Sequence, residues 1–194
     1  MNGEAPQFRS VILAGERPGG SPISIAFNIS ASVMVPVAGK PSLAYVMDTI
    51  CESNQVHGGV ICGPTINAVD RDEELKSLLQ HPDFEWIEQA TGPAASALAA
   101  LEKLDHFPAL LTAGDHALLT PEIVDDFCTR AIHAGATQHS TRSSGGDAEY
   151  DLVIGFVPYE LVKAAWPESK RTVTRFSNGH FCGSNLFAIL TPQG

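Results

Sequence analysis

Hydrophobic positions along this chain fall into short blocks whose period switches back and forth. Ser10 to Ala14 is a small, apolar run that predicts a short buried β-strand. Val33 to Val37 reads as a second strand and ends in Gly39-Lys40-Pro41. From Pro41 the period lengthens, and Leu43, Val46, Met47 and Ile50 recur at i, i+3, i+4, i+7, which predicts an amphipathic helix. Gly59 to Cys62 predicts a buried strand, Asp70 to Gln80 a charged surface helix, and Phe84 to Ile87 another strand. Pro93 to Leu104 predicts a helix with Ala94, Ala97, Leu98, Leu101 and Leu104 on one face, and Ala109 to Thr112 a strand. Thr120 is a suitable N-cap, Pro121 a suitable first helical residue, and Glu122 suits the positive end of the helix dipole, so a helix runs from there to about His133. Strands alternating with helices imply a mostly parallel sheet covered on both faces, with right-handed crossovers.

The second half loses that alternation. His139 to Glu149, rich in Ser, Gly and charge, predicts an exposed loop. Leu152 to Val157 predicts a strand. Thr172 to Phe176 and His180 to Cys182 flank Ser177-Asn178-Gly179, a hairpin signal because Asn-Gly accepts positive φ. Asn185 to Leu190 is a final apolar strand.

Composition narrows the function. With 194 residues, 44% hydrophobic and 18% charged, the chain can bury one good core, so a single domain over 1–194 is expected. The net charge of -10 repels polyanions and argues against nucleic acid as a partner. No apolar run approaches the ~20 residues that span a bilayer. The N-terminus carries no secretory pattern. Cys51, Cys62, Cys128 and Cys182 form no Cys-x-x-Cys pair, so neither a zinc site nor a disulfide framework is expected. The expectation is a cytoplasmic protein with reduced thiols and no membrane contact.

Four segments carry candidate chemistry. The first strand runs into Gly15, Gly19 and Gly20 around Arg17. Glycines there let backbone approach a ligand closely, and an Arg among them suits phosphate. Leu110-Leu-Thr-Ala-Gly-Asp115 delivers a carboxylate at the carboxyl end of a strand, the edge where open α/β sheets bind ligands. A lone carboxylate there suits Mg²⁺, which takes one or two carboxylates plus phosphate oxygens and water. In Thr91-Gly92-Pro93-Ala-Ala-Ser96, Gly92 can admit a nucleobase against the backbone, with Ser96 one turn into the helix. In Gly183-Ser-Asn185-Leu-Phe187, a polar Asn on an apolar strand offers an amide oxygen as a second metal ligand. Among other residues, His116 reads as solvent-facing or supporting and Cys182 as a buried thiol. Trp86 and Trp166 read as core or cover, and Glu73-Glu74 and Asp125-Asp126 as solvated helix faces.

Together these segments resemble the nucleotidyltransferases of the GT-A-like fold, and most closely the MobA-like (molybdenum-cofactor guanylyltransferase-like) NTP transferases. Leu13-Ala14-Gly15 with Arg17 resembles the family's opening loop, and Pro36 to Pro41 its second block. Gly92 to Ser96 resembles the base-recognition segment, Gly114-Asp115 with Leu118 to Pro121 the metal-binding block, and Gly183 to Phe187 the late Asn block. The resemblance implies a three-layer α/β/α fold with a late β-hairpin. It implies transfer of an NMP from an NTP, GTP in the family's name, to a small phosphorylated acceptor, with release of pyrophosphate. Asp115 and Asn185 would hold Mg²⁺. Arg17 and the Gly15 to Gly20 backbone would hold the β- and γ-phosphates; Lys40 would add a phosphate contact only by pointing inward, the alternative being a surface residue at a helix start.

The pattern also departs from the family. Ser32 stands where the family usually has a phosphate-contacting Lys, four residues before Pro36. The opening loop is shorter than the commonest form. The chain stops soon after Asn185, so a natural short form and a truncated one both stay open. Ser32 makes a non-catalytic nucleotide-binding or regulatory module the alternative. A flavodoxin-like binder is weaker, for want of a flavin-binding loop.

Overall fold

In the computed structural model, which describes residues 8–136 and 150–194, strand alternation decides the layers. β1 (Phe8–Leu13) turns Phe8 and Ile12 toward one apolar cluster and Val11 and Leu13 toward another. β4 (Val56–Cys62) divides Ile61 from Val60 and Cys62, and β6 (Ala109–Ala113) divides Leu110 from Ala109 and Leu111, in the same way. Such strands are buried on both faces, which is why they read as continuous apolar runs. α2 (Ser42–Glu52) and α6 (Pro121–Ala136) cover the first face, with Leu43, Val46, Met47 and Ile50 meeting Val124, Cys128 and Ala131. α5 (Pro93–Leu104) covers the second. The result is the expected α/β arrangement with a mostly parallel central sheet.

β5 (Phe84–Ile87) and three later strands, β7 (Leu152–Pro158), β8 (Thr174–Phe176) and β9 (Gly179–Ile189), complete the sheet. Among the described residues its order is β5-β4-β1-β6-β9-β7, with β8 on β9. β1 is parallel to β4 on one side and to β6 on the other, and β4 is parallel to β5. β9 runs antiparallel to β6, β7 and β8. Chain connections leave β1 toward β4 and return toward β6, so they reverse between β1 and β6. At that point Leu13 lies opposite Ala113. A reversal of this kind opens a crevice at the carboxyl ends of the strands.

Several segments differ from the sequence-based reading. Val33 to Val37 is no single strand: Ser32–Met34 is a 3₁₀ turn, and only β2 (Pro36–Val37) pairs, with β3 (Lys40–Pro41). The tight turn between them holds Ala38 and Gly39 at positive φ, and Pro36 has no N–H for a longer ladder. The helix expected over Asp70–Gln80 is α4 (Glu73–Leu78), preceded by α3 (Ile66–Val69); it starts late because extended Asp72 caps it through Leu75 N–H. On α5 the inward face is Ser96, Ala97, Ala100, Leu101 and Leu104, while Ala94 and Leu98 are exposed. The pieces expected over His180–Cys182 and Asn185–Leu190 merge into one strand, β9, which ends at Ile189 and is interrupted by a bulge in which Asn185 adopts φ +58°. Trp166 is exposed, and half-buried Trp86 donates its indole N–H to the Gly63 carbonyl. Asp125 is no idle surface carboxylate: it accepts from Ser53 and Asn54 and ties α6 to the end of α2. The loop expected over His139–Glu149 lies outside the described residues.

Two helices give no periodic signal. α1 (Pro22–Phe27) buries only Ser24 and is held by a capping box between Ser21 and Ser24. α7 (Tyr159–Ala165) buries only Val162.

The β1–β4 pairing rests on bare backbone. A Cβ on Gly59 would stand 1.9 Å from the Ser10 carbonyl oxygen, and Gly59 sits at φ +152°. Ser10, fully buried, donates its hydroxyl to the Gly58 carbonyl. Gly59→Ala is expected to cost about 3 kcal/mol or more, since strand separation and a lost buried hydrogen bond come together. Urea unfolding of the purified variant measures this, and a cost under about 1 kcal/mol contradicts it.

Candidate functional site

The carboxyl ends of β1, β5 and β6 feed one cavity of about 440 Å³. From the opening loop it takes Leu13, Gly15, Glu16, Arg17 and Pro18; from the segment after β5, Gln89 to Pro93; from the end of β6, Ala113 and Asp115. Ser32, Val33 and Ser96 complete the wall. A wider cleft of about 910 Å³ adjoins it across Glu16, Arg17, Pro18 and Gln89, and reaches Gly19, Gly20, Arg71 and Asp72.

Backbone bonds fix the loop at the mouth. Ala14 N–H donates to the Cys62 carbonyl at 2.8 Å, and Gly114 N–H to the Leu13 carbonyl at 2.8 Å. Gly63 lies so close that a Cβ on it would stand 2.7 Å from Gly15 N. Gln89 clamps Glu16 at two points: its amide oxygen accepts from Glu16 N–H at 2.6 Å, and its NH₂ donates to the Glu16 carbonyl at 2.7 Å. Arg17 to Gly20 then closes a turn, with Gly20 N–H donating to the Arg17 carbonyl and positive φ at Gly19 and Gly20. Exposed Arg17 projects from this anchored turn.

Glu16 and Gln89 are residues that sequence reasoning missed. The Glu16 carboxylate accepts from Arg17 N–H at 2.9 Å and from Ser32 N–H at 2.6 Å. It therefore binds backbone donors from both the opening loop and the segment where the family's Lys would stand. The sequence offered one signal, an acidic residue inside a glycine-rich loop; Gln89 had none.

Ser96 does lie at the cavity, but its hydroxyl accepts from Ala90 N–H at 2.9 Å and it is buried, so it shapes the loop before α5. Beneath it, burial pushes the Cys62 thiol up, against hydrogen bonds from Ser96 and Ala90 that lower it. Gly92 opens α5 with extended backbone and no atom near its Cβ position, which leaves the first turn of a 12-residue helix open at the cavity wall.

Asp115 is exposed at the rim. Beside it, half-buried His116 is held below its ordinary titration range by burial, with Asp115 opposing that shift and Arg171 adding to it. Arg171, also missed, donates to the Gly183 carbonyl at 2.8 Å. β9 is antiparallel to β6 with Leu111 opposite Phe187, so the Gly183–Asn185 bulge runs alongside the Ala113–Asp115 turn. Asn185 is exposed there and does not line the cavity. Ala14 is fully buried in the core under the loop. Lys40 lines neither cavity: its ammonium pairs with Asp48 and lies over the Tyr45 ring. The fit to a hard cation is one of donor chemistry: the Asp115 carboxylate and the Asn185 amide, both exposed, carry oxygen donors of the kind Mg²⁺ takes.

Comparison with known proteins agrees with this architecture. A hypothetical transferase from Thermus thermophilus superimposes with a TM-score of 0.62 at 22% identity, over 95% of this chain and 65% of that one. A CMP:2-keto-3-deoxy-manno-octonic acid synthetase complexed with CTP gives 0.61 at 12% identity, over 94% of this chain and 74% of that one. A 4-diphosphocytidyl-2C-methyl-D-erythritol synthase from Anaerococcus prevotii gives 0.57 at 14%, over 95% and 71%. At these identities the likeness is one of fold. No curated protein matches the chain in sequence. Among the described residues no helix is long and apolar enough to cross a membrane. The model of the MobA-like NTP transferase domain matches residues 31–170, a span that includes Ser32, Gly92, Ser96 and Asp115, and the chain belongs to that family.

Proposed function

We propose that this protein transfers a nucleotidyl group from an NTP to a small phosphorylated acceptor, releasing pyrophosphate, with Mg²⁺ as cofactor. The observation that carries this reading is the single cavity at the β1/β6 reversal that gathers Arg17, the Gly92 helix start and Asp115. The base lies against Gly92, and the triphosphate runs toward the Arg17 turn. Asp115 and Asn185 are the residues that would hold Mg²⁺, which when bound supplies charge neutralisation on the phosphates. Arg17 stabilises charge that develops on the leaving pyrophosphate, and the anchored turn holds it in place beforehand. Arg171, beside His116, is a cation suited to the acceptor phosphate. The structural neighbour complexed with CTP makes a pyrimidine nucleotide a candidate beside GTP. The four free cysteines suit a reduced, cytoplasmic setting.

A second reading, nucleotide binding without turnover, is favoured by the Glu16 carboxylate, which already holds the N–H groups of Arg17 and Ser32. An anion held by those donors must displace it, and no Lys stands at Ser32 to help.

Measurements on the protein and its variants separate these readings and test the roles. Pyrophosphate release, assayed over all four NTPs with phosphorylated acceptors and Mg²⁺, is expected for one base; thermal stabilisation by a nucleotide with no release favours the second reading. Where turnover is found, Arg17→Ala is expected to lower kcat/KM roughly 100-fold, the scale of one lost donor to developing charge, and Asp115→Ala to abolish the response to Mg²⁺. Glu16→Ala is expected to tighten nucleotide binding about fivefold by calorimetry, since a hydrogen bond to a charged group is worth about 1.5–3 kcal/mol and part of it is spent on ordering the loop. Unchanged or weaker binding contradicts the competition. The lowered His116 value has its own consequence. Because the folded protein holds His116 neutral, stability from this group is fully present above its ordinary value of 6.5 and is lost as pH falls below it toward the lower folded value. His116→Gln is expected to flatten that acid-side slope in urea unfolding series.

A further inference from the structure

A second cluster of ligating side chains lies at the opposite edge of the sheet. Cys51 closes the last turn of α2, and His81 and Asp83 lie in the turn that enters β5. One ligating atom from each falls within 4.8 Å of the others. This is the amino-terminal edge of β4 and β5, whereas the nucleotide cavity lies at the carboxyl ends of the strands. Cys51 is exposed, and the other three cysteines are buried.

The backbone under this trio is fixed. Gly59 N–H donates to the Asp83 carbonyl at 2.9 Å, His81 N–H to Leu78, and Phe84 N–H to the His81 carbonyl. A Cβ on Gly58 would stand 2.1 Å from the Asp83 carbonyl oxygen, so β4 and the turn meet backbone to backbone. His81 Nδ1 accepts from Asp83 N–H at 3.3 Å, and its ring packs on Phe84 with centroids 5.4 Å apart. The three donors would close to the spacing of about 3.3–3.8 Å that follows from zinc–ligand bonds of about 2.0–2.3 Å in a tetrahedron, and ligation through His81 Nδ1 would replace its hydrogen bond from Asp83 N–H. Asp83, Asp48 and Glu52 act on Cys51 as negative charges, Asp48 partly offset by its pair with Lys40, so the local field favours a cation. A thiolate, an imidazole and one carboxylate are a donor set for Zn²⁺, and a poor one for Mg²⁺ or Ca²⁺.

We infer that Cys51, His81 and Asp83 bind one Zn²⁺, with water in the fourth position, and clip the end of α2 to the turn before β5. The thiol proton leaves to solvent on ligation. This inference is independent of the nucleotide reading, because no residue is shared.

Metal-stripped protein, with intact folding checked by circular dichroism, is titrated with Zn²⁺ against a chromophoric chelator, and with Co²⁺ for its spectrum. One equivalent of Zn²⁺ is expected to bind in the presence of excess Mg²⁺. The Co²⁺ form is expected to show a sulfur-to-metal charge-transfer band and the visible bands of a tetrahedral ion. Cys51→Ser and His81→Ala are each expected to weaken Zn²⁺ binding roughly tenfold or more. The unaltered chain is expected to gain Tm with Zn²⁺, and both variants to lose that gain. Asp115→Asn is expected to leave zinc binding unchanged. Failure of the unaltered chain to compete with the chelator, or zinc affinity that survives Cys51→Ser, overturns the proposal.

Discussion

The parallel pairing of β1 with both β4 and β6 is the constraint from which the rest of this structure follows. It buries β1 on both faces and requires covering helices on each side. It also brings the ends of β1, β4 and β6 to one edge, where Ala14, Gly63 and Gly114 interlock by backbone bonds and bare glycine contacts. Because the connections reverse between β1 and β6, that edge has a crevice, and the residues that leave it line a cavity.

The chemistry of the crevice is polar on a fixed frame. Gln89 holds the Glu16 peptide at both its N–H and its carbonyl, which sets where Arg17 projects. Glu16 returns its carboxylate onto the same loop and across to Ser32. The mouth of the cavity thus holds a carboxylate on its own backbone donors, and Ser32 brings no cation to it.

Much of this was legible in the sequence because the relevant signals are local. The blocks ending at Leu13, Cys62 and Ala113 contain short apolar runs (Val11 to Leu13, Val60 to Cys62, Ala109 to Leu111), as strands covered on both faces do. The α2 stripe and the Thr120-Pro121-Glu122 start of α6 were equally plain. Where burial was slight, the sequence was silent: α1 and α7 each bury a single residue, so neither has an apolar period. On α5 an alanine-rich helix let the inward face be misplaced, since small side chains on both faces carry little contrast.

The sequence by itself determined the layer architecture and the segments that meet at the carboxyl edge, because hydrophobic period and turn residues act within a few positions of one another; the family was legible from the resemblance of its motifs. Only the tertiary structure decided which side chains share a space. Lys40 is drawn to Asp48 and Tyr45 and stays away from the cavity. Glu16 reaches Ser32, Gln89 reaches Glu16, and Arg171 reaches Gly183 beside Asp115. Cys51 meets His81 and Asp83 across a separation of some thirty residues. These pairings depend on the register of β1 between β4 and β6 and on the bulge at Asn185, and neither is encoded by any local pattern. That is the physical reason the glycines and Arg17 of the opening loop stood out as a local pattern while the reach of the Glu16 carboxylate to Ser32 did not.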